Sequence, residues 1–169
     1  MNSNLNLIDL IVQIGHRLEF EVALEVEASG SAYVDVVWFD RRFAFEPLSI
    51  KKTPKIRRHP VLPVAGFEVE RKTALDTKHV KGSVSNLENL GALMGVLVIG
   101  KDNLSNLAKQ KAHAGKANKQ LEEILMDRVY RWVYTESQTR NRIVVMWERE
   151  VTEWAKRLGV NIAQLTMPE

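Results

Sequence analysis

A chain of 169 residues with 45% hydrophobic and 27% charged residues has ordinary globular composition and is long enough for one sizeable core, so a single domain over residues 1–169 is expected. The absence of cysteine excludes a disulfide scaffold, thiolate zinc sites and a cysteine nucleophile. The net charge of +3 hides a local concentration, because Arg41 to Pro60 holds seven basic residues against one acid, Glu46, making that segment +6 and the rest of the chain −3.

In chain order, Met1 to Asn6 carries no basic n-region, and no secretory signal is expected. Leu5, Leu7, Ile8, Ile11, Val12, Ile14 and Leu18 recur at helical spacing and predict a helix from about Leu5 to Leu18. Gly15 inside it points to a close neighbour. The period then changes to two. Phe20, Val22, Leu24 and Val26 alternate with Glu19, Glu21, Ala23, Glu25 and Glu27, which predicts a strand with one apolar and one acidic face. Ala28 to Ser31 is a turn, and Tyr33 to Phe39 a second strand, antiparallel to the first. Asp40 to Pro63 is a long connection, kept from helix by Pro47, Pro54, Pro60 and Pro63. Pro63 to Glu70 reads as a third strand. A helix from about Lys78 to Leu93 and a buried strand, Met94 to Gly100, follow; the near-continuous apolar run of the latter implies cover on both faces. Helices are expected at Asn103–Ala114 and Lys119–Tyr134, a late strand at Arg142–Trp147 and a closing helix at Glu148–Leu158, with a largely helical 117–158 as the alternative. The longest apolar stretch, Leu90 to Ile99, is about half the ~20 residues of a membrane span. A soluble, cytoplasmic protein with no membrane partner is the expectation.

Two strands place carboxylates among apolar residues. Asp35 is flanked by Val34, Val36, Val37 and Trp38, although Asp is disfavoured in strands and a buried carboxylate is costly unless paired or metal-bound. In Phe67-Glu68-Val69-Glu70-Arg71-Lys72, strand periodicity puts Glu68, Glu70 and Lys72 on one face. Carboxylates from neighbouring strands suit Mg²⁺, and such an ion can polarise a phosphodiester and acidify a water. An exposed face with a Glu–Lys pair would account for Glu68 to Lys72 but not for Asp35.

The order helix, hairpin strand, strand with Asp, strand with Glu-x-Glu, helix, strand resembles the core of the PD-(D/E)xK nucleases over roughly Leu5 to Gly100. The stretches Tyr33-Val-Asp-Val-Val-Trp38 and Phe67-Glu-Val-Glu70, with Lys81-Gly82 in the next helix, are similar to those of restriction-type members. The resemblance implies an α/β fold with a restriction-endonuclease-like mixed sheet (αβββαβ), flanked by helices and followed by C-terminal helical additions. It implies Asp35 as central metal ligand, Glu68 as the second, and Glu70 where most members have Lys. Val34 stands where the name-giving proline would be. Glu70-Arg71-Lys72 is itself a Glu-x-Lys, so Lys72 offers an alternative third catalytic group.

The implied activity is an Mg²⁺- or Mn²⁺-dependent endodeoxyribonuclease hydrolysing DNA phosphodiester bonds, plausible as a restriction-type enzyme acting as a homodimer or with a partner subunit. The alternative is a catalytically inactive nucleic-acid-binding or assembly module of the same fold. The separation of Asp35 from Glu68 exceeds that of compact members. The excess falls in the basic insertion at about 40–63, expected to project beside the active-site edge and contact DNA through Lys51, Lys52, Lys55, Arg57 and Arg58. Lys78 and Lys81, with Ser83 and Asn86, open the following helix, where DNA backbone contact and ordinary helix-start chemistry are both open. Glu25 and Glu27 fit a solvated strand face. His16, His59, His79 and His113 show no ligand spacing. Gly91-x-x-x-Gly95 is expected to pack helix on sheet, and Trp132, Trp147 and Trp154 to lie in the core or a subunit interface. No Walker loop, Rossmann fingerprint, HExxH or zinc finger is present.

Overall fold

The computed structural model describes residues 4–43, 62–136, 142–162 and 166–167. A two-residue strand β1 (Asn4–Leu5) pairs antiparallel with β7 (Thr166–Met167), which joins the two ends of the chain. Helix α1 spans Leu7–Arg17. It begins two residues later than the apolar spacing implies because Asn6 caps it, its side chain accepting from Ile8 N at 3.2 Å.

Strands β2 (Glu21–Ser29), β3 (Ala32–Asp40), β4 (Leu62–Glu70), β5 (Met94–Ile99) and β6 (Ile143–Trp147) form a five-stranded sheet in the order β2-β3-β4-β5-β6. β2, β3 and β4 are mutually antiparallel, whereas β4, β5 and β6 run parallel, so the sheet is mixed. Parallel neighbours need crossovers. α2 (Thr77–Leu90) links β4 to β5, and α3 (Asp102–Ala108) with α4 (Asn118–Glu136) links β5 to β6. α5 (Glu148–Arg157) follows β6 directly. The largely helical alternative for 117–158 is thereby overturned: the β-branched, apolar run Ile143–Val145 completes the sheet against β5.

The molecule is an α/β structure in three layers. α1 and α5 cover one face of the sheet with Val36, Trp38, Phe67, Val96 and Val98. α2 and α4 cover the other, where Leu97, Ile99, Val145 and Trp147 meet Val80, Val84, Leu121, Leu125 and Val129. β5 thus buries alternate residues on opposite faces, which is why its sequence is apolar throughout. On the α1 side, Trp38 stacks on Phe20 and contacts Phe67 at 4.4 Å and Trp154 at 5.6 Å between ring centroids. Trp132, Trp147 and Trp154 all contribute to these apolar clusters.

Two further boundaries differ from the sequence expectation. α2 ends at Leu90, not Leu93, because Gly91 adopts a left-handed conformation (φ 67) and caps it. Gly95 packs against the helix, its missing Cβ leaving room for Leu87. α3 stops at Ala108 and a separate 3₁₀ turn occupies Lys111–His113.

Another difference shapes the site. β2 does not keep one apolar face. Phe20 and Val22 pack on the α1 side, but Val26 joins the α2 side with Ala23 and Ala28, and Leu24 is exposed. The alternation inverts at Glu25, whose φ of 49 marks a local irregularity. β3 inverts opposite it. Val36 and Trp38 face α1, whereas Val34 shares the α2-side cluster with Val37 and Phe39. Leu24 pairs with Val36 and Val26 with Val34, so Glu25 and Asp35 occupy the kink together.

Candidate functional site

Asp35 lies where β3 leaves β4. The register between these strands runs from Asp40↔Leu62 to Val36↔Phe67 and goes no further. Beyond it, the backbone N–H of Val69 is taken by the side chain of Asp35, Oδ2 accepting at 2.8 Å. A carboxylate thus replaces the backbone partner that β3 withdraws, which answers the question of why an aspartate sits among valines.

Glu68 and Glu70 project from the adjoining end of β4 and are both buried, at 7% and 5% exposure. Their partners come from α2 and from the turn after β4. Asn86 Nδ2 donates to Glu68 Oε1 at 3.0 Å and to the Tyr33 carbonyl at 3.2 Å, tying the carboxylate to the start of β3. Ser83 Oγ donates to Glu70 Oε1 at 2.7 Å, and Thr73 Oγ1 donates to Glu70 Oε2. Ser83 and Asn86 are three residues apart on a helix and meet glutamates two apart on a strand, so the helical and strand periods come into register at this point.

The electrostatics are those of crowded like charges. Burial pushes the Glu68 carboxyl up to about 8; the Asn86 hydrogen bond opposes this, while Asp35 and Glu70 repel the charge and add to it. Asp35 is also raised, first by burial. Its bond from Val69 opposes that shift, and the charges of Glu70 and Glu25 reinforce it. Glu25 therefore acts on the site through its charge from across the kink, although its own side chain is exposed, as is that of Glu27.

Lys72 is placed differently. β4 ends at Glu70, so the period-two argument that put Lys72 on the same face does not extend to it. Lys72 lies in a bend and its side chain is exposed. The bend is imposed by Asn103, which is fully buried: its Nδ2 donates to the carbonyls of Glu70 (2.7 Å), Arg71 (3.0 Å) and Gly100 (3.0 Å), and its Oδ1 accepts from Ala74 N at 3.0 Å. Asn103 and Thr73 were not legible as site residues. Ser83 and Asn86 carried a signal, because they interrupt the buried stripe Val80, Val84, Leu87 and Leu90 with polar groups.

Lys78 is exposed and Lys81 half-buried in the first turns of α2. That helix starts at the carboxylate end of β4, with Asp76 as N-cap. His79 Nε2 lies 3.9 Å from Asp76 Oδ2. Of the basic insertion, Arg41 pairs with Glu21 at 3.0 Å and Arg42 with Asp40 at 2.6 Å. The Arg42 hydrogen bond holds the Asp40 carboxyl below its usual range. Lys51, Lys52, Lys55, Arg57, Arg58 and His59 lie outside the described residues.

The roots of the basic insertion lie away from the carboxylates. Asp40 and Leu62 are paired residues at the far end of the hairpin. Five residues separate Asp40 from Asp35, and six separate Leu62 from Glu68. At ~3.3 Å per strand residue the roots stand about 17–20 Å from the acids. An antiparallel connection leaves and returns at one end of its strands, and here the acids occupy the other.

As a cation site, the cluster offers carboxylate oxygens and no thiolate, the donor set of a hard divalent ion. The bonds from Val69 and Asn86 engage one oxygen each of Asp35 and Glu68, which leaves their second oxygens as candidate ligands. Among the described residues, no three acidic or histidine side chains are already gathered in a metal-ligating arrangement. No family model matches the chain, and no curated protein and no solved structure matches it. No described helix is long and apolar enough to cross a membrane.

Proposed function

We propose that the chain is a divalent-metal-dependent nuclease of the PD-(D/E)xK type that hydrolyses DNA phosphodiester bonds. The observation that carries the proposal is the placing of Asp35, Glu68 and Glu70 on the adjoining ends of β3 and β4, where the strands separate, with Glu68 pushed up to about 8 by burial and by the charges of Asp35 and Glu70. Burying two glutamates beside a half-buried aspartate that repels them is unfavourable for folding alone, and a bound cation is the economical compensation. The element order α1-β2-β3-β4-α2-β5, with an antiparallel trio joined in parallel to β5, supports the restriction-endonuclease-like arrangement αβββαβ. β6 and the helices α3 to α5 are additions to it.

Asp35 and Glu68 would hold the ion, Mg²⁺ or Mn²⁺, with Glu70 as third acid in place of the lysine of most members. The ion would supply Lewis-acid polarisation of the phosphodiester and a lowered water pKa. Asn86 and Ser83 orient Glu68 and Glu70, and Val69 N fixes Asp35, so the acids are held before substrate arrives. The exposed Lys72 fits the third catalytic position less well than Glu70. A cytoplasmic enzyme acting as a homodimer or with a partner subunit remains part of the proposal.

The test is metal binding by calorimetry and cleavage of plasmid DNA in Mg²⁺ or Mn²⁺, for wild type and Asp35→Asn. Asn can still accept from Val69 N, so the variant is expected to fold, to lose metal affinity and to lose cleavage. A variant that cleaves at near-wild-type rate removes Asp35 from the site. Wild type that binds no divalent ion overturns the enzyme and favours a non-catalytic DNA-binding or assembly module.

A further inference from the structure

The carboxylate cluster needs compensating positive charge if a phosphate backbone is to approach it, and the basic insertion is rooted at the wrong end of the hairpin to guarantee it. Another segment is better placed. From Asn103 to Leu121 the chain contains Lys109, Lys111, Lys116 and Lys119 and no acid. All four lysines are exposed, and none is paired with a described acid. The segment between α3 and α4 turns through a 3₁₀ turn at Lys111–His113 and through Gly115, whose φ is 77.

Its location relative to the acids is set by hydrogen bonds. Asn103, in α3, holds the backbone carbonyls of Glu70 and Arg71. Asn106 Nδ2 reaches the Lys72 carbonyl at 3.4 Å. α3 is therefore fastened to the residues that leave the cluster. Lys109 caps the C-terminal end of α3, six residues beyond Asn103 and about 9 Å from it at 1.5 Å per residue. The parallel order β4-β5-β6 also requires both crossovers to begin at the same edge of the sheet. The N-terminal ends of α2 and α3 accordingly share that edge with Glu70, where open α/β sheets bind ligands.

We propose that the α3–α4 connection, through Lys109, Lys111, Lys116 and Lys119, is a docking surface for the phosphate backbone of DNA engaged at the carboxylate cluster. The proposal deepens the nuclease reading and rests on it for the occupant. Each lysine contributes one phosphate contact with no base preference, so the surface fixes the path of the strand and carries no sequence information.

The experiment measures duplex affinity by fluorescence anisotropy across a salt series, in EDTA and again in Mg²⁺ on the non-cleaving Asp35→Asn background. Wild type is compared with a variant carrying Lys109, Lys111, Lys116 and Lys119→Gln, and with a control carrying Lys156 and Arg157→Gln on α5 beyond the opposite face. Each duplex phosphate contact contributes about 0.9 to the log–log salt slope. The four-fold variant is expected to lose roughly 2–4 from the slope and at least about tenfold in affinity, with the control unchanged. An unmoved slope, an equal loss in the control, or wild type that binds no duplex in either condition overturns the proposal. Cleavage by wild type is scored separately. Cleavage with an unmoved slope rejects the surface and keeps the nuclease, and a lowered slope without metal binding or cleavage does the reverse.

Discussion

Replacing Glu68 by Gln isolates the energetic cost of the buried acid cluster. Glu68 is 7% exposed and its carboxyl is pushed up to about 8 from an ordinary 4.5. A folded value above the unfolded one means that the contribution of this group to stability is fully present below about 4.5 and is lost as pH rises through about 8. At about 1.4 kcal/mol per pH unit, the ionisable glutamate costs the metal-free protein about 1 kcal/mol at pH 5, about 3 at pH 7 and about 5 at pH 9. Gln cannot ionise, and it keeps an amide oxygen for Asn86. Glu68→Gln should therefore stabilise the protein in EDTA by those amounts, with a difference that widens with pH. Denaturant unfolding at the three pH values measures it, using the fluorescence of Trp38, which is buried between Phe20, Phe67 and Trp154. Asp35, raised for the same reasons, should leave a residual slope in the variant. In saturating Mg²⁺ the order should invert, because an ion bound only by the folded wild type stabilises it. A stability difference that is the same at pH 5 and pH 9 would refute the reasoning, since it would mean that Glu68 is desolvated or repelled no more in the folded state than in the unfolded one.

The third catalytic position is decided by a pair of substitutions. Lys72→Ala should leave cleavage within about threefold of wild type, whereas Glu70→Ala should lower it by about a hundredfold or more, the scale of a positioned catalytic group; a Lys72 effect as large as that of Asp35→Asn would move the site one register along the chain. Asn103→Ala leaves Ala74 N and the carbonyls it caps without their partner, so it should cost about 2–4 kcal/mol in denaturant unfolding, and a cost under about 1 would show that the turn does not depend on it. Two glycines in helices should respond with opposite sign. Gly15→Ala places a Cβ 2.6 Å from Trp38 Nε1 and 2.7 Å from Val22 Cγ2 in the core, and overpacking of about 1–3 kcal/mol should outweigh the helix-propensity gain of about 1. Gly82→Ala meets nothing within 4 Å and should raise stability by about 0.5–1 kcal/mol by thermal melting; a lower melting temperature would contradict the open space beside it.

Much of the element order was legible in one dimension because it rests on periodicity and punctuation. The change of period between α1 and β2 and the apolar run of β5 are local properties of neighbouring residues. The candidate acids were legible for the same kind of reason, since Asp35 among valines and Glu68 beside Phe67 conflict with their local surroundings, and such conflicts mark functional positions. What only the tertiary structure decided are relations between distant segments. The kink at Glu25 and Asp35 inverts the faces of both strands together, and it depends on β3 parting from β4, which no single-strand pattern encodes. The end of β4 at Glu70, which sends Lys72 off the strand face, is imposed by Asn103, over thirty residues away. The distance of the insertion's roots from the acids follows from the antiparallel pairing of Asp40 with Leu62. In each case a hydrogen bond or strand register between remote residues overrides local preference, because a buried backbone group must find its partner wherever the fold supplies one.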